Sequence, residues 1–252
     1  MPARLKTLAL GTLLISAAWL TPAIALDEQQ KKEMGEFIRE YLIDNPEIML
    51  EVQSALEAKQ QAQRLEMAEQ AVAANHDAIF ASDADVVLGN PDGDVTVVEF
   101  FDYNCGYCKN ALNDMESILQ ADPNVRFVLK EFPILGPDSL AAHRVANAVR
   151  LLAPEKYGEF HRTLLSATGL ATEASAMDVA TSLGLKEAAV RKSMDENPND
   201  SIVREAYRLA TSLGVTGTPT YIVGDEALFG AVGKDAIEEK VANVRACGKS
   251  NC

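Results

Sequence analysis

A run of β-forming residues that leads directly into two cysteines is the feature that most limits how this chain can fold. Residues 95–101, VTVVEFF, are almost continuously apolar and β-branched, which predicts a strand buried on both faces. The next residues, DYNCGYC, open a predicted helix over 105–119, and a second strand is predicted over 125–132. A strand, a helix and a strand in this order predict a right-handed parallel βαβ unit.

The remainder of the C-terminal region alternates in character. Residues 139–213 contain a succession of segments with one apolar stripe each, separated by glycine or proline, and we interpret them as a block of helices. Strand character returns at 221–229, around a turn at Gly224-Asp225, and a last helix is predicted over 235–244. We therefore expect an α/β domain over residues 81–252, interrupted by a helical insertion at about 139–213.

Residues 1–25 have the composition of a secretory signal peptide. Arg4 and Lys6 precede an apolar run that is short for a membrane span, and Ala23-Ile24-Ala25 is a small-x-small site, which predicts cleavage after Ala25. An uncleaved membrane anchor is the alternative. Cleavage would remove two cations and no acids, so the net charge of −14 would become −16. A surface this acidic argues against a nucleic-acid partner.

The segment between the signal and the domain is polar and helical in pattern. Pro46 is expected to divide it into two helices. Its apolar residues follow alternating steps of four and three, which predicts a narrow seam of five side chains: Ile38, Leu42, Met49, Val52 and Leu56. A helix with one apolar stripe needs a partner, which could be the body of the same chain or another copy of it. We expect self-association, with residues 26–80 as an oligomerisation stalk.

Three uses are open for the pair Cys105 and Cys108. They could form half of a zinc site with Cys247 and Cys252, an inert structural disulfide, or a redox-active dithiol. A thiolate is stabilised at a helix N-terminus, which favours the redox use. Cys105 is then the exposed nucleophile, and Cys108, one turn deeper, is the resolving thiol.

The segments EFFDYNCGYC and GVTGTPTYIVG, separated by a helical insertion, resemble the DsbA-like branch of the thioredoxin superfamily over residues 81–246. The resemblance implies a cis-proline at Pro219, with the backbone of Thr218 available to an extended substrate, although an ordinary trans proline is the alternative. It also implies an acidic residue under the resolving cysteine, which Glu99 matches. We expect Lys130 to be the partner of Glu99, and we predict four catalytic residues: Cys105, Cys108, Glu99 and Lys130. Glu99 is expected to move the proton of Cys108, to form a structural ion pair, or both.

The dipeptide between the cysteines, Gly106-Tyr107, is expected to contact substrate together with Thr218 and Pro219. The strongly oxidising members of the family carry Pro-His between their cysteines. Tyrosine supplies no positive charge, so Cys105 is expected to be less acidic than in a dedicated oxidase. This difference favours an isomerase or a reductase.

A helical extension before a DsbA-like domain, with a dipeptide other than Pro-His, resembles the ScsC proteins of the bacterial periplasm, which are linked to copper tolerance and include a trimeric disulfide isomerase. The resemblance implies a periplasmic homo-oligomer, with a trimer favoured. It also implies misoxidised exported proteins as substrates, a membrane redox partner that resets the thiols, and no cofactor beyond the redox-active disulfide. A DsbA-type dithiol oxidase and a non-catalytic copper-binding protein or chaperone are the alternatives.

The remaining cysteines and the histidines carry weaker signals. Cys247 and Cys252 are expected to form a structural disulfide, and a free pair or a second relay is the alternative. His76, His143 and His161 are scattered on helical segments, and we interpret them as surface or hydrogen-bonded residues. Their spacing predicts no metal site, although thiol-based copper binding is chemically open to the cysteines.

Overall fold

The computed structural model describes residues 27–252, and the chain divides into two units after Leu56. The predicted signal peptide and its cleavage site at Ala25 lie outside the described residues. Within the part of the chain that the structure describes, no helix combines the length and the apolar character needed to cross a membrane.

The described part of the first unit, residues 27–56, is helical. Helix α1 (Glu28–Asp44) begins with a capping box, in which Asp27 accepts from the Gln30 backbone N–H at 2.8 Å and Gln30 accepts from the Asp27 backbone N–H at 3.1 Å. The predicted break at Pro46 is confirmed, and helix α2 (Glu47–Ala74) follows it. Most of the predicted seam is exposed in the single chain, together with other apolar side chains of this unit: Met34, Phe37, Ile38, Tyr41, Ile43, Met49, Leu50, Val52 and Leu56.

The second unit contains the rest of α2, eight further helices and five strands among the described residues. The helices are α3 (His76–Phe80), α4 (Gly106–Ala121), α5 (Pro137–Leu152), α6 (Pro154–Ser166), α7 (Glu173–Ser182), α8 (Glu187–Glu196), α9 (Asp200–Ser212) and α10 (Lys234–Cys247). The strands are β1 (Val86–Gly89), β2 (Val95–Phe101), β3 (Val125–Glu131), β4 (Thr220–Val223) and β5 (Glu226–Phe229). The predicted helical insertion is confirmed as α5 to α9.

The five strands form one sheet in the order β1-β3-β2-β4-β5. Strands β2 and β3 are parallel and joined by α4, so the predicted βαβ unit is confirmed. Strands β1, β4 and β5 are antiparallel to their neighbours. Gly224 closes the β4–β5 hairpin with a φ of +60°, where a β-carbon would also lie 2.7 Å from Val244. This topology buries β2, the strand that leads into the cysteines, at the centre of the sheet.

Two apolar cores cover the two faces of the sheet. Helices α4 to α8 and α10 contribute to the core on one face. On the other face, helix α9 packs with Ala68, Val72 and Ile79 of α2 and α3. Residues 57–80 therefore belong to the larger unit, and the expected boundary at residue 80 is wrong. The reason is that the last turns of α2 bury small apolar side chains in the core of the domain.

Candidate active site

The two central cysteines lie where helix α4 begins. Cys105 occupies the N-cap position with extended backbone (φ −78°, ψ 115°), and Cys108 follows in the first turn. Both are free thiols, and Cys108 is fully buried whereas Cys105 keeps 7% of its surface exposed. The predicted order of depth is therefore correct, but Cys105 is more enclosed than expected, because its sulfur lies 3.1 Å from the carbonyl oxygen of Thr218.

The surroundings of Cys105 favour its thiolate. Hydrogen bonding from the Cys108 thiol is the main cause that lowers the pKa of Cys105 to about 5, with help from the backbone N–H groups of Tyr107 and Cys108, while burial opposes the shift. The pKa of Cys108 is raised far above its ordinary value, first by its hydrogen bond to Cys105 and then by burial. At neutral pH one thiolate therefore lies at the helix N-terminus and one protonated thiol lies beneath it.

The loop before β4 forms the other side of the site. The peptide bond between Thr218 and Pro219 is cis, as the family resemblance implied. Thr218 places its carbonyl oxygen against Cys105. Between the two cysteines, Tyr107 is 68% exposed, and a β-carbon at Gly106 would meet nothing within 4 Å. The four expected substrate-binding residues are thus brought together around one sulfur atom.

Glu99 lies in β2 on the face of the sheet that carries Cys108. Its neighbours across the sheet are Leu129 and Tyr221, and only 3% of its own surface is exposed. Burial, and secondarily the negative charge of Cys105, raise the pKa of Glu99 to about 8. The negative charge of Glu99 contributes in turn to the raised pKa of Cys108. A carboxyl group with this pKa can accept or return a proton near neutral pH.

The expected pair between Glu99 and Lys130 is wrong. In the parallel register Lys130 is opposite Phe100, so its side chain lies on the other face of the sheet from Glu99. There it forms a buried ion pair with Asp85 and donates to the carbonyl oxygen of Ala78 at 2.5 Å. Lys130 therefore stabilises the join between α3 and the sheet, and it is removed from the set of catalytic residues.

Asp102, which sequence reasoning missed, organises the loop before Cys105. Its side chain is fully buried and accepts four hydrogen bonds: from Asn104 N at 2.8 Å, Ser139 Oγ at 2.8 Å, Ile134 N at 2.8 Å and Leu135 N at 3.0 Å. These contacts join the end of β2 to the start of the helical insertion. The only signal in the sequence was an acidic residue directly after an apolar strand.

Asn104 makes a second connection to the insertion. Its side-chain oxygen accepts from Ala171 N at 2.7 Å, and its amide nitrogen donates to Ala171 O at 2.9 Å and to Ser139 Oγ at 3.0 Å. The residue directly before the nucleophile is therefore held on three sides. Such contacts across 35 and 67 residues of sequence carry no local signal.

Two histidines are more deeply enclosed than the sequence suggested. His143 and His161 are buried, and neither ring makes a hydrogen bond in the structure. His143 Nδ1 lies 3.4 Å from a carboxylate oxygen of Glu131, whose other oxygen accepts from Tyr157 at 2.8 Å. Burial lowers the pKa of His161 to about 3, so that this ring is neutral. The interpretation of both as surface or hydrogen-bonded residues is therefore wrong, whereas His76 is at the surface.

The C-terminal cysteines are bonded to each other, as predicted. Cys247 and Cys252 form a disulfide, and the enclosed Ser250 donates to Asp225 in the β4–β5 turn through its backbone N–H at 2.9 Å and its hydroxyl at 2.6 Å. The disulfide leaves no free sulfur at this end to complete a zinc site with Cys105 and Cys108. Across residues 27–252, no group of three or more His, Cys, Asp or Glu side chains is arranged to hold a metal ion.

A dithiol at the start of a helix, beside a cis-proline loop in this sheet, defines the site of a thiol–disulfide oxidoreductase. The chain belongs to the family of DSBA-like thioredoxin domains, which matches residues 96–242, and residues 30–63 match the N-terminal domain of the copper resistance protein ScsC.

Solved structures with the same architecture agree with this assignment. A thioredoxin-like oxidoreductase from Silicibacter pomeroyi DSS-3 is 39% identical, with a TM-score of 0.66, over 69% of this chain and 99% of that one. Proteus mirabilis ScsC in a transitional conformation is 30% identical, with a TM-score of 0.65, over 88% of this chain and 99% of that one.

Curated relatives are more distant. Disulfide bond formation protein D of Bacillus subtilis is 27% identical over 165 residues, which cover 62% of this chain and 74% of that protein. The Na⁺/H⁺ antiporter NhaA 1 of Salinispora arenicola is 26% identical over 161 residues, but the chain spans only 25% of its length.

Proposed function

We propose that this protein is a periplasmic disulfide isomerase that acts on misoxidised exported proteins through Cys105 and Cys108. The observation that carries the proposal is the thiolate at the N-terminus of α4, with a protonated thiol and a buried carboxyl group beneath it. Thiol–disulfide exchange needs this combination of a nucleophile, a resolving thiol and a proton acceptor.

The reaction begins when the Cys105 thiolate attacks one sulfur of a wrong disulfide in the substrate. A new S–S bond forms to Cys105, the substrate bond breaks, and the released substrate sulfur leaves as a thiolate. A different thiolate of the substrate then attacks the substrate sulfur of the mixed disulfide, which forms a new substrate disulfide and releases Cys105 as a thiolate; attack by the first released thiolate only restores the wrong bond. If no substrate thiolate attacks, the ionised form of Glu99, which is the minor form near neutral pH, accepts the proton of Cys108. The Cys108 sulfur then attacks Cys105, the mixed disulfide breaks, the substrate sulfur leaves as a thiolate, and a Cys105–Cys108 disulfide remains.

The acidity of Cys105 supports an isomerase. A pKa of about 5 lies between about 7 for a reducing thioredoxin and about 3.5 for the strong oxidase DsbA. A nucleophile in this range attacks readily, and it is not so stable as a thiolate that it leaves every mixed disulfide at once. Tyr107, which carries no charge, stands where a charged histidine would lower the pKa further.

Self-association through residues 27–56 is part of the proposal, with a trimer favoured. Nine large apolar side chains of this unit are at least 47% exposed in the single chain, and a helix with such a surface is marginal without a partner. The match of residues 30–63 to the ScsC N-terminal domain supports the same interpretation. Several dithiols on one assembly raise their effective concentration at a client that carries more than one wrong disulfide.

Export, a role in copper tolerance and a membrane partner that resets the thiols belong to the same proposal. They are supported by the signal-like residues 1–25 and by the likeness to ScsC proteins. An isomerase works only while its dithiol is reduced, so a supply of electrons is required in an oxidising compartment. Nucleic acid is not among the proposed partners, because the net charge of −14 opposes it.

The decisive experiment is the repair of scrambled ribonuclease by the mature protein, followed as recovered ribonuclease activity. Cys105→Ala is expected to abolish repair because the attacking sulfur is gone. Cys108→Ala is expected to accumulate mixed disulfides that mass spectrometry detects. The double variant Cys247→Ala/Cys252→Ala is the control and is expected to retain repair. Equal repair by the parent and by Cys105→Ala would contradict the proposal, and client protection or metal uptake that survives this change would favour a non-catalytic chaperone or copper-binding protein.

A DsbA-type dithiol oxidase is the second candidate, because the pKa of Cys105, about 5, lies below the value of about 7 for a reducing thioredoxin and so also in the direction of an oxidase. The oxidised protein would then convert reduced ribonuclease to the disulfide form faster than the reduced protein repairs scrambled ribonuclease. Equilibration of the Cys105–Cys108 pair with glutathione, followed by thiol labelling, gives the reduction potential that separates the two candidates. A potential of about −120 mV would favour the oxidase, and one of about −180 mV would favour the isomerase.

A further inference from the structure

A groove lies beside the active site and is lined in part by a residue of α2. It is a cavity of about 450 Å³ between Arg64, Tyr107, the loop 216–220 and residues 229–231. Tyr107 and Thr218 belong both to this groove and to the surroundings of Cys105, so a chain held at Cys105 can enter it. The volume falls within the range of pockets that bind small ligands, about 300–1,000 Å³, and suffices for a few side chains.

Arg64 is held in a fixed position in this groove. Its guanidinium carbon lies 3.6 Å from the centre of the Phe229 ring, and one of its terminal nitrogens donates to the carbonyl oxygen of Gly214 at 2.9 Å. The stacking and the hydrogen bond fix the plane of the guanidinium group, which reduces the entropy lost when it binds a ligand. Arg64 is thus pre-organised to bind rather than free to move in solvent.

The charge of Arg64 is not used within the chain. Across residues 27–252 it makes no ion pair, and it is the one charged residue among those that line the groove. An arginine has five N–H donors, and the bond to Gly214 uses one of them. The remaining donors match the two oxygens of a carboxylate. The groove thus contains one positively charged side chain, and its other lining residues are apolar or carry hydroxyl groups. The chain as a whole has a net charge of −14.

We infer that this groove is a subsite for an acidic side chain of the substrate protein, close in sequence to the cysteine that forms the mixed disulfide with Cys105. Arg64 binds the carboxylate, while Tyr107 and Phe229 contact the apolar part of the substrate chain. The inference rests on the proposed exchange at Cys105 and adds a sequence preference to it. Arg64 is accordingly a substrate-positioning residue, and it takes no part in the exchange of bonds.

The test uses symmetric disulfide-linked peptides and the Cys108→Ala protein, in which the mixed disulfide is trapped. The Cys105 thiolate attacks either of the two equivalent sulfurs. A disulfide to Cys105 forms, the disulfide between the two peptides breaks, and one peptide leaves as a thiolate. Six pairs of peptides carry either Glu or its neutral isostere Gln at one of the three positions on each side of the cysteine. Intact-mass measurements give the rate constant for each peptide.

At one position or two neighbouring positions, Glu is expected to react about three- to tenfold faster than Gln, which corresponds to a charge-assisted contact that is partly screened by water. Elsewhere Glu should react no faster than Gln, because the acidic protein repels it. Arg64→Gln, in the same Cys108→Ala background, should remove the advantage, and Arg64→Glu should transfer it to Lys at the same position. Arg144→Gln, which removes a surface arginine paired with Asp200, is the matched control and should leave the ratio unchanged.

The unmutated groove provides a test that does not depend on how the Arg64 variants fold. The ratio of Glu to Gln rates should fall towards one as NaCl is raised from about 0.02 to about 0.5 M. Equal rates for Glu and Gln at every position, or an advantage that survives Arg64→Gln, would overturn the inference and leave the proposed exchange intact. If no peptide forms a mixed disulfide with Cys105, the proposed function fails and the subsite falls with it.

Discussion

Replacement of Glu99 by glutamine should make the stability of the protein depend differently on pH. The folded protein holds the proton of Glu99 up to about pH 8, whereas an unfolded chain releases it near pH 4.5. Between these values the folded state binds more protons than the unfolded state, so the contribution of Glu99 to stability falls as the pH rises. Each pH unit corresponds to about 1.4 kcal/mol, which gives about 4 kcal/mol of destabilisation at pH 7.5.

The assay is urea unfolding of the reduced parent and of Glu99→Gln, followed by circular dichroism from pH 4 to pH 8. The difference in unfolding free energy should be constant below about pH 4.5 and should then change in favour of Glu99→Gln by about 1.4 kcal/mol per unit up to about pH 8. The depressed pKa of Cys105 has the opposite effect, since its thiolate adds stability as the pH rises from about 5 towards 9, but it is present in both proteins.

The test depends on how the difference in unfolding free energy between the parent and Glu99→Gln changes with pH. Any constant cost of placing an amide at this position shifts the curve without altering its slope. The surface variant Glu116→Gln, which removes a carboxylate 44% exposed and paired with Arg162, is the control and should show no such slope. A difference between parent and Glu99→Gln that is independent of pH would refute the reasoning. The same variant should resolve mixed disulfides about 100-fold more slowly, because Cys108 loses its proton acceptor.

Three further predictions concern other parts of the chain. Lys130→Met leaves Asp85 buried without its partner and should lower the free energy of unfolding in urea by about 3 kcal/mol. The rate of thiol–disulfide exchange per folded molecule should stay unchanged, and a slower rate would show that Lys130 takes part in catalysis. If the proposed self-association is correct, the mature protein should be an oligomer in light scattering and deletion of residues 27–56 should make it a monomer and lower ribonuclease repair relative to oxidation; a mature protein that is already monomeric would contradict this. Tyr107→His should lower the pKa of Cys105, measured by thiolate absorbance, because a protonated imidazole stabilises the thiolate; an unchanged pKa would show that the side chain at 107 is too exposed to matter.

Much of the fold was accessible from the sequence, because its signals are local. The strand at 95–101 was predicted with its observed bounds, since six β-forming residues among seven leave few alternatives. The helix after Cys105, the parallel strand β3 and the hairpin at Gly224 followed from periodicity and turn residues. The boundary at residue 80 failed because the polar surface of α2 conceals two small core residues, Ala68 and Val72.

The sequence by itself determined the chemistry: two cysteines one helical turn apart, a strand that ends beside them, and a proline that the family places next to them. Only the tertiary structure decided which distant side chains share that space. Glu99 and Lys130 lie on opposite faces because register and pleat, rather than charge, set the direction of each side chain. Asp102 and Arg64 acquired their positions through contacts with residues that are 32 to 165 positions away, and no local pattern encodes such contacts.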